Sequence, residues 1–393
     1  MTPAARVQAA IEILDNVIDG ARNNGAPADR IIANWAKSNR YAGSKDRRAV
    51  RELVYSAIRA CGPIPKTGRV AMLRLAEMDE TIAALFDGSQ YGPPAIGRNE
   101  KPAQGGVAPE WLVERLATSG VDAAAQEALL GRAPLDVRVN ALKADREGLE
   151  LPVAGEHLAP PQALRFEQGT QVEQWPEYRE GKIEVQDLGS QYACLAAEVK
   201  PGETVIDLCA GAGGKTLALA AAMENRGTLV ASDTDRSRLS RLAPRAERAG
   251  AGLIETVLLD AGREMDALGQ YRRAADCVFV DAPCSGIGTL RRKPEAKWRL
   301  DPRSLDRYAG IQDKLLDIAA ELVRPGGRII FVTCSLLDEE GANRFEAFLE
   351  RAPGWQADTR KLGAGKPRGK GLRLTPSHDG TDGFFIARAA LPC

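Results

Sequence analysis

The stretch Thr204–Leu217, TVIDLCAGAGGKTL, sets how the rest of the chain is read. Val205, Ile206 and Leu208 form a buried strand that carries an acid, Asp207. A glycine turn follows (Gly211, Gly213, Gly214), then an alanine-rich helix that begins near Lys215. Residues without a Cβ let the backbone bend sharply and approach a ligand closely, and the helix start offers free N–H groups. This is the geometry of a nucleotide or adenosyl pocket. Gly214-Lys215-Thr216 imitates the end of a phosphate-binding P-loop, but that motif needs a glycine where Cys209 stands. The three glycines also fail the G-x-G-x-x-G spacing of a dinucleotide site.

Working outward, the pattern of an apolar strand ending in an acid recurs. Leu229–Ser232 ends at Asp233, Thr256–Leu259 at Asp260, and Cys277–Val280 at Asp281. With helical segments between them, these strands predict a doubly wound α/β fold whose parallel sheet has an acidic carboxyl edge. Acids there suit ribose hydroxyls, an adenine amino group and the cationic centre of S-adenosylmethionine better than they suit phosphate.

Two cysteines fall at the same edge: Cys284 in Asp281-Ala282-Pro283-Cys284-Ser285-Gly286, and Cys334 in Thr333-Cys334-Ser335 after the strand Arg328–Val332. A single buried cysteine is ordinarily a small core residue. Two at strand ends beside an acidic crevice point to chemistry instead. The long apolar face Leu305, Tyr308, Ile311, Leu315, Ile318 and Leu322 predicts a helix that stops at Pro325-Gly326-Gly327.

The chain has 393 residues, enough for two or three domains, and its formal net charge is zero. Residues 1 to 75 nevertheless carry 13 Lys and Arg against 6 Asp and Glu, which fits a polyanion partner or a solvated helix surface. Helices are predicted from residue 3 to about 60, one capped by Asp29 and another opened by the basic Ser44–Arg48. Residues 88–108, rich in Gly and Pro, read as a connection. Short strands begin at Leu135, Ala163 and Lys182. The expected domains are therefore a helical region at 1–132, a small α/β module at 133–180 and the large α/β domain at 181–393. The first residues do not pair a charged start with an apolar core, and nowhere do 18 apolar residues run together. Seven cysteines without a C-x-x-C pair, and only two histidines, predict no metal site and fit a reducing cytoplasm.

Val185–Gln191 (VQDLGSQ), VIDLCAGAGGKT, DAPCSGIGTLRRKPEAKWR at 281–299 and RPGGRIIFVTCS at 324–335 together resemble the Sun, or RsmB-type, family of RNA 5-methylcytosine methyltransferases, which includes enzymes of bacterial 16S ribosomal RNA. The helical N-terminus is similar to that family's NusB-like RNA-binding domain, and residues 134–180 to its RNA-recognition-like module. The resemblance implies that Cys209, Ala210, Gly211, Ala212, Gly213, Gly214, Lys215, Asp233, Asp260 and Asp281 bind S-adenosylmethionine. It also implies that Cys334 is the nucleophile and that Cys284 helps release product. One position departs: the family's usual C-A-A-P-G-G-K has alanine, Ala212, in place of proline here.

The chemistry asks for the same parts. Carbon 5 of cytosine is a weak nucleophile until a thiolate adds to carbon 6, and covalent addition divides one difficult step into easier ones. Asp281 is placed to hold the base as well as the cofactor, and either Lys215 or the cluster Arg291-Arg292-Lys293 could activate a thiol. Arg291–Arg299 holds five cations and Trp298 against one acid, which reads as phosphate contacts with a stacking ring. Lys366, Arg368, Lys370 and Arg373 read as a second basic loop or a solvated tail. The expected partner is RNA, ribosomal rather than transfer RNA, met by a monomer without membrane or metal. Two other readings stand beside this one. A DNA cytosine methyltransferase would place its nucleophile at Cys284 and have no need of Cys334; a non-catalytic ribosome-assembly factor would need neither thiol.

Overall fold

The structure is a computed structural model that describes residues 1–359 and 361–393, and it divides into two units, 1–131 with 289–301, and 132–288 with 302–393. In the first unit Thr2 accepts from Ala5 N at 3.2 Å and starts α1 (Pro3–Arg22), whose Val7, Ala10, Leu14, Val17 and Ile18 recur at helical spacing and are buried. Then follow α2 (Ala28–Ser38), α3 (Ser44–Ala60), α4 (Gly68–Met78), α5 (Glu80–Ala83), α6 (Glu110–Thr118) and α7 (Ala123–Ala128). The Gly/Pro-rich 88–108 contains no helix or strand. The expected cap at Asp29 is corrected: Pro27 is the N-cap of α2, and Glu295 Oε1 accepts from Ala28 N at 3.2 Å.

Residues 289–301 pack within this helical unit, so the large domain is not continuous from 181 to 393. Trp298 lies in the helical core with Val54 and Ile58, 7% exposed, and its indole N–H donates to Gly62 O at 3.1 Å. Lys297 is wholly buried, donates to Val107 O at 2.9 Å, and burial lowers its ammonium to about 7. Arg299 donates to the carbonyls of Gly25 and Ala26, and Arg291 is buried. The reading of this stretch as a basic stacking surface is therefore corrected: charge count alone does not tell a solvated cation from one whose stem and donors are enclosed.

In the second unit, β1 (Leu135–Val139), β2 (Glu156–His157), β3 (Ala163–Phe166) and β4 (Ile183–Val185) form an antiparallel sheet in the order β2-β3-β1-β4, with α8 (Pro176–Arg179) before the last strand. The small module thus runs past residue 180, because β4 pairs with β1 through Val139↔Ile183. After α9 (Leu188–Ala196) come β5 (Thr204–Asp207), α10 (Gly214–Ala222), β6 (Thr228–Asp233), α11 (Arg236–Leu239), α12 (Leu242–Ala249) and β7 (Ile254–Leu258). The chain continues through α13 (Glu264–Leu268), β8 (Ala275–Asp281), α14 (Pro302–Leu322), β9 (Val323–Thr333) and α15 (Ala342–Arg351). It closes with β10 (Gln356–Ala357), β11 (Lys366–Arg368), β12 (Gly371–Leu374), α16 (Pro376–Asp379) and β13 (Phe384–Ala390).

The large sheet runs β11-β12-β13-β9-β8-β5-β6-β7, with β10 on β13. From β9 to β7 every pairing is parallel; β13 turns back antiparallel on β9. Alternate strand residues face opposite layers. Val205, Phe279 and Val332 pack with Leu217, Leu219 and Leu242 on one side, whereas Ile206, Val278 and Phe331 pack with Leu316, Phe345 and Phe348 on the other. Both faces are covered, and the sheet is the Rossmann-like doubly wound one that the sequence predicts. The helix after Asp235 breaks between α11 and α12, with Pro244 in the first turn of the second piece, where its missing N–H costs nothing. Among the described residues no helix is long and apolar enough to cross a membrane.

Candidate active site

Open parallel sheets leave a crevice beyond the carboxyl ends of their strands, and the turn after β5 lines it here. Gly213 has φ +85° as the N-cap of α10, and a Cβ there would lie 2.0 Å from Leu242 Cδ1. Gly211, φ +55°, donates its N–H to Asp233 Oδ2 at 2.8 Å, which ties the turn to the end of β6. Beside Gly214 a Cβ would meet nothing within 4 Å, so the first turn of α10 faces open space. That flank, with acids on both sides, suits hydroxyl donors such as those of a ribose and a positive charge such as a sulfonium, and so fits S-adenosylmethionine better than a phosphate ester.

Ala212, the departure from the family pattern, has its carbonyl held by Arg245 Nη1 at 2.6 Å, and Arg245 also pairs with Glu184 of β4 at 3.0 Å. A guanidinium contact thus restrains the turn where a proline ring otherwise would. Gln186, just after β4, donates to Gly214 O at 3.1 Å and fixes the other side of the turn.

The acids are not equivalent. Asp207 is buried beneath the turn, accepts from Thr216 Oγ1 at 2.6 Å, and burial raises its carboxyl to about 7; its Oδ1 has no hydrogen-bond partner. Asp233 is buried and already accepts from Gly211 N and, at 2.7 Å, from Asp235 N. Asp260 is exposed, just beyond β7, whose Leu258 pairs with Asp233. Asp281, at the end of β8, meets Lys215 Nζ at 2.6 Å. Burial works to lower the Lys215 ammonium, and the Asp281 carboxylate outweighs it, so the cation is held above its ordinary range. Of the two cation choices open from sequence, Lys215 lies at this edge, in contact with Asp281.

Beyond β8 and β9 the two thiols meet, with Cys284 Sγ 3.4 Å from Cys334 Sγ. The turn that carries Cys284 is pinned from α14, where Gln312 Nε2 donates to Pro283 O at 2.9 Å, and Cys334 O accepts from Gly288 N at 3.0 Å. The hydrogen bond with Cys334, then burial, then the charges of Cys334 and Glu340 push the Cys284 thiol well above the ordinary thiol range. Tyr308 of α14 also faces the pair, and its phenol is raised by burial and by Cys284 and Glu340.

Cys209–Lys215, Asp233, Asp281, Cys284 and Cys334 therefore share one edge, with Asp260 at its exposed margin. Arg368 and Arg373, by contrast, are engaged by Asp338 in the β11–β12 hairpin, while Lys366 and Lys370 are exposed. Sequence alone does not single out Glu340, which is fully buried under the thiol turns. It sits in Asp338-Glu339-Glu340, which reads as a solvated acidic turn; its place six residues after Cys334 is the one signal. Gln312 and Tyr308 are likewise hidden as members of a helix face.

Residues 194–390 match the family model described as 16S rRNA methyltransferase RsmB/F. The ribosomal RNA small subunit methyltransferase B of Citrobacter koseri is 35% identical over 288 residues, 71% of this chain and 65% of that protein. The protein of the same name from Xylella fastidiosa is 35% identical over 292 residues, 71% of this chain and 68% of that one. The match thus spans about two thirds of the length of these relatives. Among solved structures, PH0851 superposes with a TM-score of 0.79 at 25% identity over 99% of both chains. A methyltransferase homolog protein from Pyrococcus horikoshii gives 0.58 at 25% identity, covering 72% of this chain and 99% of that one. On the strength of the sequence match across the catalytic half, the chain belongs to the RsmB/F family of 16S rRNA methyltransferases.

Proposed function

We propose that the protein methylates carbon 5 of a cytosine in RNA, of the small ribosomal subunit, with S-adenosylmethionine as methyl donor. The observation that carries this reading is the 3.4 Å approach of Cys284 and Cys334 at the edge where Lys215 pairs with Asp281. Lone thiols occur in many cores. Two in contact, beside a partly buried ion pair and an open glycine turn, suit a covalent pyrimidine mechanism. That the relatives are ribosomal RNA small subunit methyltransferases supports small-subunit ribosomal RNA as the RNA class.

The glycine turn Cys209–Lys215, with Asp233 and Asp260, would hold S-adenosylmethionine, which would supply an electrophilic methyl group and leave as S-adenosylhomocysteine. The protein's residues do the rest. Cys334 Sγ, as thiolate, bonds to carbon 6 of the cytosine, and the electron pair of the 5,6 double bond moves toward carbon 5, which takes the methyl group. Asp281 holds the base at N3 or its amino group and, with Lys215, balances the charge that develops on the ring. A base then removes the proton on carbon 5, the double bond re-forms and the bond from carbon 6 to Cys334 breaks. Cys284, in contact with Cys334, assists that release. The target must be unstacked to reach the crevice, which favours a loop or an incompletely assembled particle. The exposed Lys45, Arg48 and Arg51 of the helical unit supply cations for RNA phosphate.

Methyl-labelled S-adenosylmethionine incubated with unmodified small-subunit ribosomal RNA, followed by nucleoside digestion, tests this. Label in 5-methylcytidine supports the reading. Label only in transfer RNA or DNA, or in another nucleoside, contradicts it.

A further inference from the structure

The two thiols are chemically alike and 3.4 Å apart, yet the covalent route needs one to be the anion and the other to keep its proton. Their surroundings differ. Glu340, from the 3₁₀ turn Asp338–Glu340, is fully buried. Its Oε1 accepts from Ser285 N at 2.7 Å and its Oε2 from the Ser285 hydroxyl. The residue so gripped is the one next to Cys284. The Ser285 hydroxyl oxygen lies 3.4 Å from that of Ser335, the neighbour of Cys334, and Ser335 Oγ accepts from Leu337 N at 3.1 Å. Glu340 thus takes two hydrogen bonds from the neighbour of Cys284, and it reaches the neighbour of Cys334 through the Ser285–Ser335 hydroxyl contact. On the other side Lys215, paired with Asp281, is the cation whose field reaches Cys334.

We infer that Glu340 is a positioning residue that keeps the proton of the thiol pair on Cys284 and so leaves the anion to Cys334. The negative pole lies at the thiol that must stay protonated and the positive pole toward the thiol that must ionise. Among the described residues, the groups that act on Cys284 are Cys334 after β9, Glu340, Tyr308 of α14 and the Gly286 N–H, while Lys215 of α10, paired with Asp281 of β8, acts on Cys334. Burial raises Glu340 itself while its bonds from Ser285 and Ser335 lower it, and its charge is one of the causes that lift Cys284. A pair this close titrates as a unit, so a fixed charge on one side decides the order of ionisation. The assignment rests on the proposed covalent mechanism for its meaning and on the geometry for its content.

The test is site-resolved alkylation of the full chain with iodoacetamide across pH, read by mass spectrometry of the peptides bearing Cys284 and Cys334. In the wild type, Cys284 is expected to react with a midpoint at higher pH than Cys334; the reverse order would overturn the inference whatever the variants do. In the Cys334→Ala background, Glu340→Gln keeps the side chain's shape, because the Ser285 hydroxyl can turn to accept. It is expected to move the Cys284 midpoint down by about one pH unit, as removal of one nearby like charge should. Glu340→Asp is expected to restore much of it. Equal midpoints with and without Glu340→Gln, in proteins of equal helicity, would reduce Glu340 to packing. No methyl transfer is read, so failure of the RNA methyltransferase reading and failure of this one are separate results.

Discussion

Lys215 Nζ stands 2.6 Å from Asp281 Oδ2, joining the first turn of α10 to the end of β8 across the crevice. In the proposed mechanism the pair supplies a cation and the carboxylate that holds the base. Lys215→Met and Asp281→Asn are each expected to lower single-turnover methyl transfer by roughly 10²-fold or more, as loss of a positioned charged group does. The double variant should be little worse than either single one, because the two act as a unit. Additive losses would show that the residues work apart.

Gly213 and Gly214 are adjacent and predict opposite behaviour. Gly213→Ala must adopt φ near +85° and place a Cβ against Leu242, so it should cost about 1–3 kcal/mol of stability. Gly214→Ala meets open space, and its thermal midpoint should match the wild type. Its methyl group nevertheless enters the proposed cofactor cradle, and calorimetric titration with S-adenosylmethionine should show weakened binding. Unchanged affinity in Gly214→Ala would move the cofactor away from this turn.

The raised carboxyl of Asp207 has a defined signature in pH. Its value near 7 in the folded protein lies above the ordinary 3.8, so between about pH 4 and 7 the folded state keeps a proton that the unfolded chain has lost. Stability from this site therefore falls as pH rises through that window and is level above it. Asp207→Asn has no proton to lose there. The fall in unfolding free energy from pH 4.5 to 7 should be smaller in the variant, and parallel wild-type and variant curves would contradict the assignment.

Trp298 distinguishes core from interface. As a buried indole bonded to Gly62 O, its replacement by alanine should destabilise the helical unit by about 3–5 kcal/mol. A stacking surface would instead lose RNA affinity with stability intact. Chemical denaturation alongside RNA binding at fixed salt separates the two.

What the sequence discloses follows from how each feature is encoded. The strand-acid repeats at Asp207, Asp233 and Asp281, and the cysteines after β8 and β9, are legible because strand ends of a parallel sheet share one edge whatever the loops do. The destination of residues 289–301 is not legible: Trp298 and Lys297 look solvated next to Arg292 and Lys293, and only tertiary packing in the helical unit encloses them. The break before α12 is half legible, since Pro244 announces a disturbance but not that it becomes a helix start. Arg245 at Ala212 and Glu340 at Ser285 are contacts between segments 33 and 55 residues apart, which no local pattern marks.

The assignment of roles to the two thiols is tested most directly by trapping. Wild type, Cys284→Ala and Cys334→Ala are incubated with S-adenosylmethionine and unmodified small-subunit ribosomal RNA, denatured, and resolved on a gel. A protein–RNA adduct that persists in Cys284→Ala and is absent from Cys334→Ala is the predicted result, because the proposed route adds through Cys334 and releases with the help of Cys284. An adduct that persists in Cys334→Ala would make Cys284 the nucleophile and contradict the account.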